Sequence, residues 1–286
     1  MPGEPAVPGA EWSGWLDLVE SQLHAGDDPV SRVLLGQIRD RVLHKAGLRR
    51  GDVLVDLGCG RGLVALEAAR IVGPQGRVIG VDLSEGALER AREEARRRGL
   101  SNLQFIRGDV CALPLEDGIA DAVTGRSVFA YIREREAALR EALRVLKPGG
   151  RISLFEPVLR EESYQMDWGE AEAAWRRMRL ALERLHPAYG FGLGYLPEAL
   201  ERVGFVELET FVWHADTSRT YASLEEARLD LGELLPGDLA PSAVWREAGI
   251  GEDEVLMVTE RLWRESARPG FRNSIPCVYA WGRKPG

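Results

Sequence analysis

The feature that most constrains the fold is a regular alternation of short apolar runs and longer amphipathic stretches between residues 52 and 157. The run DVLVDLG leads over three residues to GLVALEAARIVG, and RVIGVDLS is followed at once by EGALERAREEARRRG. Strands that alternate with helices over short connections are parallel, and their helices cover both faces of the sheet. We therefore predict an α/β fold on a mostly parallel sheet, with Ser84 as the N-cap of the second helix and Gly99 as its left-handed end.

After Pro157 the rhythm becomes mainly helical, with one helix and strand near residue 200 and a last strand near the end of the sequence. The helical stripe of the first added segment comprises Ala171, Ala174, Trp175, Met178, Leu182 and Leu185. The predicted divisions are an N-terminal helical lid segment at 1–48, a cofactor-binding core at 49–157, a helical insertion at 158–194, a core helix and strand at 195–214, a second helical insertion at 215–272 and a last core strand at 273–286.

Composition narrows the class of partner. The chain has 286 residues, 37 Lys and Arg against 45 Asp and Glu, and a net charge of −8. This acidity disfavours nucleic acid, which requires a basic face. The three cysteines, Cys59, Cys111 and Cys277, form no CxxC pair and no zinc-type cluster with histidine, so no metal site is expected. Without an apolar leader or a long apolar span, we expect a cytoplasmic protein that makes no membrane contact.

The stretch DLGCGRG, residues 56–62, lies at the turn from the first strand into its helix, where open α/β sheets bind ligands. A nicotinamide fingerprint would need a small residue at Leu63, and a phosphate loop would need GK[ST] at its end. The sequence has neither. Glycines at alternate positions allow a ligand to lie directly against the backbone, because glycine lacks a Cβ atom.

The spacing Asp56-x-Gly58-x-Gly60-x-Gly62 resembles motif I of the class I S-adenosylmethionine-dependent methyltransferases, and GVDLS, GDV, ADAVTGRSV and LRVLKPGGRISLFEP resemble their later motifs. The resemblance is closest to small-molecule methyltransferases of the ubiquinone/menaquinone type. It implies a Rossmann-like, seven-stranded sheet with S-adenosylmethionine as cofactor, Asp82 on the ribose hydroxyls and Asp109 on the adenine. The residues it implies for the cofactor are Asp56, Gly58, Cys59, Gly60, Gly62, Asp82, Leu83, Asp109 and Val110. Arg126 and Ser127 join this set because they follow the fourth strand, whose carboxyl end faces the same site.

Candidates for a catalytic role are residues expected near the carboxyl edge of the sheet. Glu156 follows the fifth strand, Tyr131 follows the fourth, His186 ends the insertion helix and His214 ends the sixth strand. All eight tryptophans lie outside residues 36–157. They either shape an apolar or aromatic acceptor pocket or build a small core of their own.

We therefore expect a methyltransferase that acts on an oxygen or nitrogen atom of a small organic molecule, in specialised metabolism. One alternative is a quinone or lipid-like carbon methyltransferase. However, the chain reads RSVFAYI where quinone-type relatives often carry His or Asn after the fourth strand. A further alternative is a regulatory protein that binds the cofactor without methyl transfer. An NAD-linked dehydrogenase is disfavoured by Leu63, and the oligomeric state stays open.

Overall fold

The computed structural model describes residues 29–234 and 240–286, with side chains from Val33 onward. The helix predicted from Trp12 and the N-cap at Asp28 lie outside the described residues. The strands are β1 Val53–Leu57, β2 Arg77–Asp82, β3 Leu103–Arg107, β4 Ala120–Arg126, β5 Leu146–Pro157, β6 Ser163–Gln165, β7 Val206–Asp216 and β8 Arg272–Arg283. The α-helices are α1 Pro29–Ala46, α2 Leu63–Val72, α3 Glu85–Arg97, α4 Arg135–Val145, α5 Glu172–Leu185, α6 Tyr195–Val203, α7 Leu224–Asp230, α8 Pro241–Glu247 and α9 Glu252–Ser266.

The strands form one sheet in the order β3-β2-β1-β4-β5-β8. β1 to β5 are parallel, and β8 is antiparallel to β5. β7 pairs antiparallel with β8 and therefore runs in the same direction as β5. The mostly parallel α/β sheet is thus confirmed, and the carboxyl ends of six strands meet at one edge. We call it the carboxyl edge.

The described sheet has eight strands where the sequence predicts seven. The additional strand, β6, pairs through Ser163 with Ser274, and Ser274 also pairs with Asp216 of β7. β6 therefore lies on the β5 side of β8 and continues the line of β5. At three residues it is too short for an alternating pattern to be recognised in the sequence.

Helices cover both faces of the sheet. On one face α4 and α6 bury Leu139 and Leu200, and on the other α2 and α3 bury Ala65 and Leu88. The helix ends follow the predicted chemistry: the Ser84 hydroxyl accepts a hydrogen bond from the amide of Ala87 at 3.2 Å, and Gly99 has φ +67°. Ser84 fixes where α3 begins, two residues after β2, and Gly99 lies where the helix ends.

The described part of the N-terminal segment lies on a face of the sheet. Ile38 and Val42 of α1 are buried in a small cluster with Phe155 and Tyr279 of β5 and β8. Apolar side chains on one stripe of α1 therefore join the helix to β5 and β8. A lid formed by residues 1–48, like the other predicted domain divisions, stays a prediction.

α5, α7, α8 and α9 enclose a separate hydrophobic core, and we call these four helices the helical subdomain. Trp245 and Met178 are fully buried in it, and the indole N–H of Trp245 donates to the carbonyl of Met178 at 3.3 Å. Trp168 lies in the same core, with Trp175 and Trp263 packed against it. Trp245 and Trp168 therefore build the subdomain's own core. The stripe predicted on α5 is buried except at its edges: Leu185 is 37 % exposed and Trp175 is half-buried.

Candidate functional site at the carboxyl edge

The glycine-rich loop after β1 depends on backbone conformations that other residues rarely adopt. Gly58, Gly60 and Gly62 have φ values of +57°, +51° and +85°. A Cβ atom on Gly58 would lie 2.4 Å from Cγ2 of Val128, which belongs to the turn after β4. The amide of Cys59 donates to the carbonyl of Val81 at 3.1 Å and ties the loop to β2. The loop is therefore a fixed backbone surface at the carboxyl edge.

Asp56 lies beneath this loop, near the carboxyl end of β1, and is 2 % exposed. Its Oδ1 accepts a hydrogen bond from the Thr124 hydroxyl at 2.8 Å, while Oδ2 is buried without a hydrogen-bond partner among the described residues. Burial raises the pKa of Asp56 to about 7, although Thr124 and the charge of Arg126 lower it. The carboxylate thus has acceptor capacity for a positively charged or N–H-bearing group.

Asp82 joins the glycine-rich loop to the start of α3. Its Oδ2 accepts from the amide of Gly60 at 2.8 Å, and its Oδ1 accepts from the amide of Ser84 at 2.9 Å. An ionised carboxylate has about four acceptor positions, so one carboxylate bound by two amides can also accept from two hydroxyl groups. The sequence predicts this role for Asp82, and the side chain lies against the predicted loop.

The residues expected near an adenine follow β2 and β3. Leu83 is half-buried directly after Asp82, and Val110 is 7 % exposed. Oδ1 of Asp109 accepts from the amide of Cys111 at 2.8 Å, which forms a local turn. Asp109 therefore shapes the turn after β3, and its contact with an adenine stays a prediction.

Glu156, at the end of β5, holds the turn after β4. Its Oε1 accepts from the amides of Val128 and Phe129 at 2.9 and 3.0 Å, and its Oε2 accepts from Ala130 at 3.0 Å. The side chain is fully buried, and this burial raises its pKa to about 7 against the opposing effect of the three amides. These bonds favour a positioning role for Glu156.

The turn that Glu156 holds contains two further candidates. Ser127 has φ +56°, an uncommon conformation for serine, and its amide donates to the carbonyl of Phe155 at 2.8 Å. Arg126 ends β4, and its charge lowers the pKa values of both Asp56 and Glu156. The end of β4 therefore carries a cation that acts on two buried carboxyl groups.

The remaining catalytic candidates lie in different surroundings. Tyr131 lies in the short 3-10 helix Phe129–Tyr131, and burial raises its pKa well above the usual value. His186 is the C-cap of α5 and is 3 % exposed. Its Nδ1 accepts a hydrogen bond from the amide of Ala188 at 3.2 Å. His214 is exposed within β7, two residues before its end. A catalytic role for any of them stays a prediction.

The sequence analysis missed several polar residues that the fold brings to this edge. Thr124, within β4, is fully buried against Asp56, and Glu162, Tyr189 and Asn273 come together from three separate segments. No local motif marks these residues, since Thr124 meets Asp56 only when β4 pairs with β1, and the other three meet only when β5, α5 and β8 are assembled. Their one sequence signal is position, shortly before or after a predicted strand or helix.

Comparison with known proteins agrees with this geometry. Residues 48–183 match the sequence profile of a family described as "Methyltransferase domain". The ubiquinone/menaquinone biosynthesis C-methyltransferase UbiE of Yersinia pestis is 38 % identical over 112 residues, which is 39 % of this chain and 45 % of that protein. An uncharacterized 37.1 kDa protein in transposon TN4556 of Streptomyces fradiae is 42 % identical over 109 residues, or 38 % of this chain and 31 % of that protein. The chain thus spans less than half the length of these relatives.

Solved structures extend the likeness in fold over most of the chain. The crystal structure of a putative methyltransferase from Bacillus halodurans superposes with a TM-score of 0.57 at 19 % identity, over 87 % of this chain and 99 % of that one. Residues 48–183 therefore match a methyltransferase domain, and the sheet has the Rossmann-like fold of the class I S-adenosylmethionine-dependent methyltransferases. The cofactor of this class fits the residues present: Asp82 has acceptor positions for ribose hydroxyls, Asp56 Oδ2 for the amino group, and Gly58 to Gly62 offer bare backbone.

None of the described helices combines the length and apolarity that a membrane crossing requires. No cluster of three or more His, Cys, Asp or Glu side chains suited to a metal ion occurs in residues 29–234 and 240–286.

Proposed function

We propose that this chain transfers a methyl group from S-adenosylmethionine to an oxygen or nitrogen atom of a small organic molecule. The observation that carries the proposal is the contact between Asp82 and the glycine-rich loop, in which one carboxylate binds the Gly60 amide at 2.8 Å. This contact brings the predicted ribose-binding acid and the predicted backbone surface into a single site. The match of residues 48–183 to the methyltransferase domain supports the same reading.

When bound, S-adenosylmethionine supplies an electrophilic methyl group on a positively charged sulfur. The protein's contribution is to hold the acceptor close and aligned, which in favourable cases removes a large entropic part of the barrier. Glu156 orients the turn that ends β4, and through Val128 that turn packs on Gly58. The four catalytic candidates of the sequence analysis, Glu156, Tyr131, His186 and His214, remain candidates for proton transfer.

A carbon methyltransferase acting on a quinone or lipid-like molecule is the second candidate. The name of the UbiE relative favours it, at 38 % identity over 112 residues, which is 39 % of this chain. The RSVFAYI turn speaks against it, since Val128 and Phe129 present apolar side chains where quinone-type relatives often carry His or Asn. A regulatory protein that binds the cofactor alone would lack a cleft for an acceptor beside the site.

Calorimetric titration tests the proposal. S-adenosylmethionine and S-adenosylhomocysteine are titrated into the wild type and Asp82→Ala, with NAD as the comparison ligand. Micromolar binding of both sulfur ligands, weakened in the variant, supports the proposal and justifies an acceptor screen read by mass spectrometry. Binding of NAD instead, or of none of the three, rejects it. Cofactor binding without methyl transfer to any acceptor class favours the regulatory alternative.

A further inference from the structure

A second group of polar and aromatic side chains lies where the helical subdomain meets the carboxyl edge. Glu162 directly precedes β6, Asn273 is the second residue of β8, and α5 contributes two more side chains. Because β8 runs antiparallel to β5, its first residues lie at the edge where β1 to β5 end. We call this group the Glu162 cleft, formed by Glu162, Tyr164, Trp175, Arg179, Tyr189 and Asn273.

Tyr189 connects this cleft to the turn after β4. It belongs to the short 3-10 helix Pro187–Gly190, which contacts both the 3-10 helix Phe129–Tyr131 and the 3-10 helix Leu159–Glu161. Burial raises the pKa of Tyr189, and the charge of Glu162 and the neighbouring Tyr131 raise it further. The 3-10 helix that carries Tyr189 therefore connects the Glu162 cleft to the turn that packs on the glycine-rich loop.

The Glu162 carboxylate is only half used by the protein. Its Oε1 accepts from the Tyr164 hydroxyl at 3.1 Å and from Nδ2 of Asn273 at 3.2 Å. Its Oε2 lies 3.7 Å from Nη1 of Arg179, within ion-pair range but beyond hydrogen-bond range. The side chain keeps 11 % of its surface exposed.

Arg179 does not supply the missing hydrogen bond. Its two terminal nitrogens donate to the carbonyls of Leu159 at 3.3 Å and Arg160 at 2.5 Å. Its guanidinium lies over the rings of Trp175 and Tyr189, 5.5 Å from each centroid. Arg179 thus partly neutralises Glu162 without bonding to it, and burial raises the Glu162 pKa despite that positive charge.

Asn273 supplies a second acceptor without a donor. Its Nδ2 donates to Glu162, which fixes the orientation of the carboxamide, and its Oδ1 is buried with no hydrogen-bond partner among the described residues. The residue is 4 % exposed. A buried acceptor that makes no hydrogen bond costs free energy that a donor from a ligand would recover.

The rings that border these acceptors suit a cation. Trp175 stacks on Trp168 with ring centroids 4.5 Å apart, and Tyr164 meets Trp175 edge-on at 5.4 Å. Aromatic faces and an adjacent carboxylate attract ammonium groups and disfavour anions. An amine also carries several N–H donors, whereas a hydroxyl group carries a single one.

We propose that the Glu162 cleft binds the amine of an aromatic or apolar amine, whose N–H groups donate to Glu162 Oε2 and Asn273 Oδ1. The inference rests on the proposed function, because the cleft borders the methyl-transfer site only if that site binds S-adenosylmethionine. It narrows the acceptor class to amines, with the amine as either the methylated group or the group by which the substrate is held.

The test is calorimetric titration of three matched probes into protein saturated with S-adenosylhomocysteine: 2-phenylethylamine, 2-phenylethanol and phenylacetate. The amine is expected to bind at least tenfold more tightly than the alcohol, and phenylacetate more weakly than either. Glu162→Gln removes the carboxylate charge and should lower amine affinity at least tenfold, with the affinity for S-adenosylhomocysteine unchanged. Glu170→Gln, an exposed site on the same insertion, should change neither value.

If Glu162→Gln fails to fold, Asn273→Ser tests the same site independently. It replaces the carboxamide by a hydroxyl group, and amine affinity should fall severalfold. Equal affinity for amine and alcohol, tighter binding of phenylacetate, an amine preference that survives both substitutions, or no binding of any probe to the saturated protein would each overturn the proposal. Absence of S-adenosylhomocysteine binding is a separate result, and it rejects the proposed function instead.

Discussion

The glycine-rich loop and the Glu162 cleft lie at the same edge of one sheet but are constructed in different ways. The loop is formed by backbone atoms. Gly58 and Gly62 have positive φ angles, and the amide of Gly60 donates to Asp82. The cleft is made of side chains contributed by residues more than a hundred positions apart, such as Glu162 and Asn273. A backbone site tolerates little change in shape, whereas a side-chain site can change its specificity one residue at a time.

The largest effect is expected from Gly58→Ala. The new Cβ would lie 2.4 Å from Val128 in a backbone conformation that costs alanine about 1–2 kcal/mol, and the overpacking adds about 1–3 kcal/mol. Affinity for S-adenosylhomocysteine should fall roughly 100-fold or more by calorimetry. Gly149→Ala is the matched control, since Gly149 also has positive φ but open space around it. A Gly58→Ala/Val128→Ala double variant should recover part of the loss, and no recovery would mean that the contact with Val128 is irrelevant.

The next largest effect is expected in the pH dependence of stability. It arises from two buried acids beside the glycine-rich loop. Burial raises the pKa values of Asp56 and Glu156 to about 7, so the folded protein holds both protons more tightly than the unfolded chain does. The free energy of unfolding should therefore fall as pH rises from about 4 to about 7, by on the order of 3 kcal/mol for each group, and level off above. Urea unfolding at several pH values measures this. Asp56→Asn should flatten the curve, and an unchanged slope in that variant would contradict the assignment.

Asp82→Ala is expected to weaken the binding of S-adenosylhomocysteine by about 1.5–3 kcal/mol, roughly 10- to 100-fold in affinity, because charge-assisted hydrogen bonds are lost. The change also removes the acceptor of the Gly60 and Ser84 amides, so thermal unfolding must accompany the titration. Glu85→Ala, an exposed acid in the next helix, serves as control. Equal losses in both variants would indicate a general charge effect instead of ribose binding.

Glu156→Gln tests whether Glu156 positions the turn after β4 or acts as a general base. One carboxylate oxygen becomes an NH₂ group that faces backbone amides, so we expect a loss of about 1–2 kcal/mol in stability and a severalfold loss of cofactor affinity. Any turnover should fall mainly through KM for the cofactor, with the pH profile of kcat retained. A kcat that collapses with unchanged cofactor affinity would make Glu156 a base.

The smallest effect on the cofactor is expected from the helical subdomain. Leu262→Ala empties part of its core and should destabilise the protein by about 2–5 kcal/mol in urea. Affinity for S-adenosylhomocysteine should stay within twofold of the wild type, since Leu262 lies in a different core from the loop. A parallel loss of cofactor affinity would show that the two sites are coupled.

Features that depend on neighbours in the chain were predictable from the sequence. The alternation of strands and helices, the Ser84 cap and the glycine spacing were all read from windows of a few residues, and the structure confirms them. Features that depend on distant partners were not. The bonds from three amides to Glu156 and the pairing of β6 with β8 arise only in the assembled sheet.

The tryptophans show the same limit. Composition left open whether they line a pocket or fill a core, because apolar side chains serve both purposes. The structure places Trp245 and Trp168 inside the helical subdomain, while Trp175 stands at its surface beside Arg179. The tryptophans differ in how exposed their side chains are, and that exposure depends on how α5, α8 and α9 pack.

The pairing of β8 with three other strands has a consequence for how the protein is made. β8 follows every other strand in the chain, so on the ribosome it emerges after β1 to β5 and after α5. The glycine-rich loop and its acid partners can form while translation continues, since domains fold from the N-terminal side as they appear. Asn273 arrives only with β8, so the Glu162 cleft is completed on the ribosome only after the whole glycine-rich loop and Asp82 have emerged.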